Sequence, residues 1–206
     1  YEWNENGWLL EYERTTNQDC EGPVDFISKN TNQYNADGNI VYHTGSSNTD
    51  PEHSEQPTRF YEAVMTYEEG LNVRRIERSD NNGDGEWDNI SQYDFAYDGA
   101  GNKIDRRSLG DKDADLDWDA SSHSQTQYNE AGIWVESFSR IDPDGDEQYD
   151  SHTLTTREFD EQYQLIGYQS IQYLADVGEL TYSQHRNITY SDYGSILTYQ
   201  RQTDSD

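Results

Sequence analysis

Asp80, Asn82, Asp84 and Asp88 stand at positions one, three, five and nine of the stretch DNNGDGEWD. Oxygen-bearing side chains at alternate positions of a tightly coiled loop can turn several oxygens onto one centre. That is the requirement of calcium, a hard cation that takes six to eight oxygens at ~2.3–2.6 Å. The same spacing recurs at Asp111, Asp113, Asp115 and Asp119, and again at Asp142, Asp144, Asp146 and Asp150. Position seven, occupied by Glu86, Asp117 or Gln148, would add a backbone carbonyl. Carboxylates crowded into one loop repel one another unless a counter-ion joins them. Position six is glycine only in the first loop, as Gly85; Leu116 and Glu147 replace it in the others, a departure from the pattern. The glutamate of an EF-hand at position twelve is missing, and no helical periodicity flanks the loops, so the chemistry points to calcium held between strands.

The surrounding composition agrees with a cation as ligand. Against 42 acidic residues there are 14 basic ones, a formal charge of -28, which repels nucleic acid and anionic membrane and favours cations and basic partners. Only 31% of residues are hydrophobic, a level that by itself suggests disorder, but 17 tyrosines and five tryptophans supply large faces that pack while keeping a polar group wet. The expectation is a thin, tyrosine-rich core. No run approaches the ~18 apolar residues that span a bilayer, and no basic-then-apolar leader is visible at Tyr1.

Other chemistries find less support. Cys20 is the single cysteine, which excludes an intrachain disulfide framework and a cysteine zinc site and leaves a spare thiol. His43, His53, His123, His152 and His185 show no zinc spacing. No carboxylate pair is set apart by an apolar environment that would raise a pKa for catalysis, so the reading is non-enzymatic. Asn89 and Asn187 open glycosylation sequons. Trp3, Trp8, Trp87, Trp118 and Trp134 could form a sugar platform; Trp87 and Trp118, inside acidic loops, are better read as shields of the metal sites, and the others as packing.

What positions the loops is an internal repeat. YDGAGNKIDRR at Tyr97 has relatives at Tyr1, Tyr34, Tyr67, Tyr128, Phe159 and Tyr190, at successive spacings of 33, 33, 30, 31, 31 and 31 residues. Each aromatic anchor is followed by Asp, Asn, Glu or Ser and usually by glycine, the composition of a tight turn. The flanks alternate with a period of two: Tyr61, Ala63, Met65 and Tyr67; Tyr93, Phe95 and Tyr97; and Leu180, Tyr182, Ile188 and Tyr190, against Thr181, Ser183, His185, Asn187 and Thr189. One long β-hairpin per repeat follows, with arms of ~30 Å at 3.3 Å per residue. The first Asp of each acidic loop follows its anchor by 13, 14 and 14 residues, so all three loops fall at the distal tip of a hairpin. The distal stretches NQDCEGPVD, NTDPEHSEQ and ADVGE lack the alternation and are read as ordinary loops.

YDFAYDGAGNKI, with QYNADGNIVY and QYNEAGIWV, resembles the YD repeats of Rhs proteins, Tc-type toxin shells and teneurins, although these units are longer than the roughly 20 residues typical of that family. The acidic loops are similar to the DxDxDGxxD calcium loops of integrin propellers and thrombospondin type-3 repeats. The resemblance implies a curling sheet of sequential hairpins and implies no enzymatic activity.

The sequence thus predicts an all-β protein: tandem antiparallel hairpins of about 31–33 residues forming a curled sheet, tube or barrel-like array across residues 1–206. The expected function is that of an extracellular or cell-surface, calcium-stabilised structural or adhesive protein, with neither nucleic-acid binding nor membrane insertion. A fragment of an Rhs or Tc-type toxin shell and a carbohydrate-binding module with a glycan partner are the alternatives. Asp204 follows Tyr190 by 14 residues, so Asp204 and Asp206 start a further loop pattern, and the array reads as cut inside the repeat at both ends. The expectation is self-association into a homopolymer or continuation in a longer chain.

Overall fold

The computed structural model describes residues 1–16, 26–49, 57–174, 180–190 and 196–204, the side chains of 180–187, 190 and 196–204 excepted. The described residues form strands and turns and no helix. The strands are β1 (Glu2–Trp3), β2 (Leu9–Thr16), β3 (Phe26–Tyr34), β4 (Ile40–Asn48), β5 (Arg59–Glu68), β6 (Leu71–Asp80), β7 (Asn89–Tyr97), β8 (Lys103–Asp111), β9 (Ala120–Tyr128), β10 (Trp134–Asp142), β11 (Ser151–Phe159), β12 (Leu165–Leu174), β13 (Leu180–Tyr190) and β14 (Ile196–Asp204). Sheet order is chain order, so the all-β hairpin array expected from the repeat is the fold the chain adopts.

The chain divides into two compact units. The first comprises residues 1–94 and 109–118 and contains the ladders from β1 through β7. The second comprises residues 95–108 and 119–206 and contains the ladders from β9 through β14.

The proximal turns explain the repeat. Asn4, Asn35, Asp98, Asn129 and Asp160 each open the same turn: the residue's N–H reaches the carbonyl four positions on, and its carbonyl accepts from the N–H three positions on. In each, the side-chain Oδ1 accepts from the N–H groups two and four residues later, at 2.8–3.1 Å. This is why an Asn or Asp follows the aromatic. The fourth residue takes positive φ, between 60° and 85°, as Gly7, Gly38, Gly101, Gly132 and Tyr163. The aromatic just before sits at a register shift, as at Tyr34 and Phe159.

These bonds correct one expectation. The residue preceding Asn4 and lying at the first register shift is Trp3, so Trp3 and not Tyr1 is the first anchor, 31 residues before Tyr34. Tyr1 instead stacks on Tyr12, with ring centroids 6.1 Å apart. The odd spacing of 30 after Tyr67 also has a cause. The β5–β6 hairpin turns on two residues, Glu69 and Gly70 (φ 50° and 81°), and Tyr67 pairs with Asn72, five residues on, where Tyr34, Tyr128 and Phe159 pair with residues six on.

Burial alternates from Ala63 to Glu68 of β5 but not along β7, where Tyr93, Asp94 and Phe95 are all half-buried. Ala63 is buried beside the half-buried Tyr61, Met65 and Tyr67, while Val64, Thr66 and Glu68 are exposed. Ile188 is buried and Thr189 exposed; the side chains of Leu180, Thr181, Tyr182, Ser183, His185, Asn187 and Tyr190 lie outside the described residues, as does Cys20. The expected tyrosine core is not what is found. Among the described residues the buried hydrophobics are Ala63, Ile90 and Ile188, whereas Asn32, Asn48, Asp80, Asp111, His123 and Asp142 are buried polar groups. Tyrosines instead form half-buried rows whose hydroxyls tie strands together: Tyr42 donates to Glu62, which also pairs with Arg78, and Tyr34 donates to the Leu9 carbonyl. Cohesion therefore depends on paired polar side chains that satisfy one another across the ladder, because few apolar side chains are fully withdrawn from water.

Candidate metal centre

Each acidic loop begins at the last residue of an ascending strand: Asp80 ends β6, Asp111 ends β8 and Asp142 ends β10. These three carboxylates are almost completely buried, at 4%, 2% and 2% exposure, although each begins an exposed loop. A buried carboxylate must be matched by donors, and here the loop wraps its own N–H groups around it. Asp80 Oδ1 accepts from Asn82 and Gly83, and its Oδ2 from Gly85 at 2.9 Å. Asp111 accepts from Asp113 at 3.3 Å and from Leu116 at 2.9 Å. Asp142 accepts from Gly145 at 2.8 Å and from Glu147 at 3.2 Å, with the Ser121 hydroxyl donating to it at 3.4 Å.

Burial by itself pushes the Asp80 carboxyl up, but the N–H groups of Gly85, Gly83 and Asn82 outweigh it and hold the group below the usual carboxylate range. Asp111 shifts in the same direction, with burial opposed by the N–H groups of Leu116, Ala114 and Asp113. Both are thereby kept ionised.

Position five repeats the device one turn on. Asp84, Asp115 and Asp146 each accept at Oδ1 from the N–H of position seven, Glu86, Asp117 and Gln148, at 2.8–2.9 Å. In the first loop Asn82 Oδ1 accepts from Asp84 N, and its amide nitrogen donates to Asp84 Oδ2 at 3.0 Å. Position nine closes the loop through its backbone: Asp88 N donates to the Ser79 carbonyl, and its Oδ2 accepts from Asn81 N. Asp150 N likewise donates to the Ile141 carbonyl.

The three loops share one backbone conformation. Positions four and six take positive φ throughout: Gly83 (75°) and Gly85 (90°), Ala114 (58°) and Leu116 (77°), Gly145 (72°) and Glu147 (69°). Loss of glycine at position six therefore leaves the loop's path intact. The N–H of position six is held on the buried Asp in every loop, and that bond over-determines a backbone conformation leucine and glutamate disfavour.

Carboxylate oxygens of Asp111, Asp113 and Asp115 lie within 4.8 Å of one another, and so do those of Asp142, Asp144 and Asp146. Oxygens this close can face a single cation. Asp117 and, in its own loop, Asp150 stand outside these triads. Asp119 belongs to the second compact unit. Asp204 ends β14 with its side chain outside the described residues, where Asp206 also lies. At position eight, the Trp87 ring packs on Phe60 at 5.7 Å, and Tyr149 lies under the Arg140 guanidinium at 4.6 Å. Trp118 keeps 37% exposure.

The structure adds one residue to the series. Asn48 ends β4, is buried to 8% exposure and follows Tyr34 by 14 residues, the same place that Asp111 and Asp142 occupy. Counting from the anchor would have found it; the search for carboxylates passed over an asparagine. The residues that follow, 50–56, lie outside the described set.

Compared with known proteins, the chain matches no family model and no curated sequence.

Proposed function

We propose that this chain is a non-enzymatic, calcium-stabilised β-hairpin repeat with a structural or adhesive role outside the cell. One observation carries the reading: three distal loops on successive hairpins share positive φ at positions four and six, a buried Asp at position one and alternating oxygens at positions three and five. In each, position one uses its oxygens to fix the loop, and positions three and five present further oxygens at the tip. Asp, Asn and backbone carbonyl oxygens are the donor set of a hard cation, and the absence of cysteine and histidine from the loops argues against softer metals.

Calcium that binds only the folded loops stabilises them by mass action, about 2.7 kcal/mol per site at a hundredfold excess over the dissociation constant. Extracellular calcium supplies that excess continuously, which is what favours an extracellular or surface location. The resemblance to YD repeats supports a scaffold and not a catalyst, and self-association or continuation in a longer array fits the repeat.

The test is unfolding with calcium and with chelator, read by hydrogen exchange. Protection should fall first around residues 80–88, 111–119 and 142–150 when calcium is removed. Identical protection in both conditions overturns the reading. Sedimentation with and without calcium tests self-association separately.

A further inference from the structure

In the first unit, a cavity of about 330 Å³ opens on the surface of β3, β4, β5 and β6, far along the strands toward the distal tips. The register explains which side chains share it: Asn30 pairs with Gly45, Gly45 with Tyr61, and Tyr61 with Ser79, while Ser28 pairs with Ser47 one step along. Paired residues point to one face of a sheet, so this row of hydroxyls, amide and phenol ring lies on one side.

Gly45 makes the cavity possible, and its backbone does not require glycine. It lies mid-strand and is absent from the residues of positive φ. A glycine inside a strand weakens it, and without a turn or bulge to justify it its use here is close approach: the Asn30 carboxamide leans over it, and the hollow opens beside that amide. A Cβ at this position would come within 2.9 Å of the Asn30 amide oxygen, so a side chain would displace that amide and intrude on the hollow.

One wall is fixed in advance. The Tyr61 hydroxyl donates to Glu77 and accepts from Arg75, both at 2.9 Å, and its ring tilts against His43 at 5.9 Å. The small side chains around it offer hydroxyl and amide groups that both donate and accept.

We propose that this hollow is a binding subsite for a neutral saccharide of about one hexose in size. Sugar hydroxyls likewise donate and accept, so serine hydroxyls and an Asn amide match them pair by pair, while the phenol ring offers an apolar face to the sugar C–H groups. The volume is at the small end of ligand pockets, which fits a single ring. An anionic sugar is disfavoured, because Arg75 is already paired with Glu77, the cavity has only Arg59 at its rim, and the chain carries -28.

The experiment titrates the whole chain with glucose, galactose, mannose, N-acetylglucosamine and glucuronate, following backbone amide shifts. At least one neutral sugar should give saturable shifts at Gly45, Ser47 and Tyr61. Gly45→Val, a β-branched residue that suits a strand, should weaken it at least tenfold, with amide shifts away from the hollow unchanged. Ser79→Ala, which leaves the hollow open, should weaken it severalfold and checks the site if the valine variant misfolds. The proposal is overturned if no neutral sugar saturates, if glucuronate binds tighter than all of them, or if the Gly45→Val and Ser79→Ala proteins bind like the parent.

Discussion

Replacing Leu116 and Glu147 by glycine should make the protein more stable, although both changes remove side chains. Leu116 sits at φ 77° and Glu147 at φ 69°. An L-residue in this left-handed region costs roughly 1–2 kcal/mol, which glycine escapes. Against that gain, glycine frees the unfolded chain and costs about 0.4–1 kcal/mol. Little else is lost. Leu116 is 75% exposed, and the bond that organises the loop comes from its backbone N–H to Asp111, which glycine keeps. The net is about 0.5–1 kcal/mol per site, and about 1–2 kcal/mol for the pair if the loops act independently. For a chain of this size that is a rise in midpoint of roughly 2–8 °C. Thermal unfolding reads the midpoint and urea unfolding the free energy, each with and without calcium. The reciprocal change tests the same term: a Cβ at Gly85 meets no atom within 4 Å, so Gly85→Ala isolates the backbone cost and should lose about 1 kcal/mol. A double glycine variant that is less stable than the parent would refute the reasoning, because some unseen contact of Leu116 or Glu147 would have to outweigh the backbone.

The shared turn predicts that Asn129→Ala costs about 1–2 kcal/mol, since the N–H groups of Ala131 and Ile133 both lose their acceptor; chemical denaturation that places it below 0.3 kcal/mol would be inconsistent with the Asx bond. Asp80 and Asp111 are held below the usual carboxylate range, and so is Asp98 through its bonds with the Asn102 side chain and backbone. A depressed folded pKa gives stability that is complete above the ordinary carboxylate value near 4 and is lost as pH falls through the depressed one. Unfolding midpoints in chelator should therefore hold from pH 7 to 5 and decline below pH 4, more steeply in the parent than in Asp111→Asn. In the last hairpin, Ile188→Asp should cost several kcal/mol by burying an unpaired charge while Thr189→Asp stays within about 0.5 kcal/mol, as read by thermal melts; equal costs would contradict the facing of β13.

The sequence by itself settled what local bonding decides. An Asn or Asp whose side chain reaches N–H groups two and four residues on needs only its own neighbours, so the proximal turns at Asn35, Asp98 and Asn129 are written in five consecutive residues. The acidic loops are legible for the same reason: Asp80, Asp111 and Asp142 are satisfied within five residues of their own position. Repetition at a constant interval then places every loop at a hairpin tip. The departure from glycine at position six could not be judged from sequence, because the pull of the buried carboxylate on one N–H prevails over the preference of leucine or glutamate, and that pull is visible only once the Asp is seen to be buried. Trp3 was passed over in favour of Tyr1 because residue type alone ranks tyrosine as the anchor, whereas the register shift at β1 selects the residue before Asn4.

Contacts across strands belonged to the tertiary structure alone. His123 takes Asp105 on Nε2 at 2.7 Å and Arg140 on Nδ1 at 2.9 Å, joining residues 18 and 17 positions away. Gly45 meets Asn30 from another strand in the same way. Such meetings depend on register, and the shifts beside Trp3, Tyr34, Tyr67, Tyr128, Phe159 and Tyr190 change which residue faces which. A slip of one position turns every side chain to the opposite face of the sheet. Composition and period constrain the strands but not that slip, so the buried polar pairs and the hollow over Gly45 are fixed only when the ladders are zipped together.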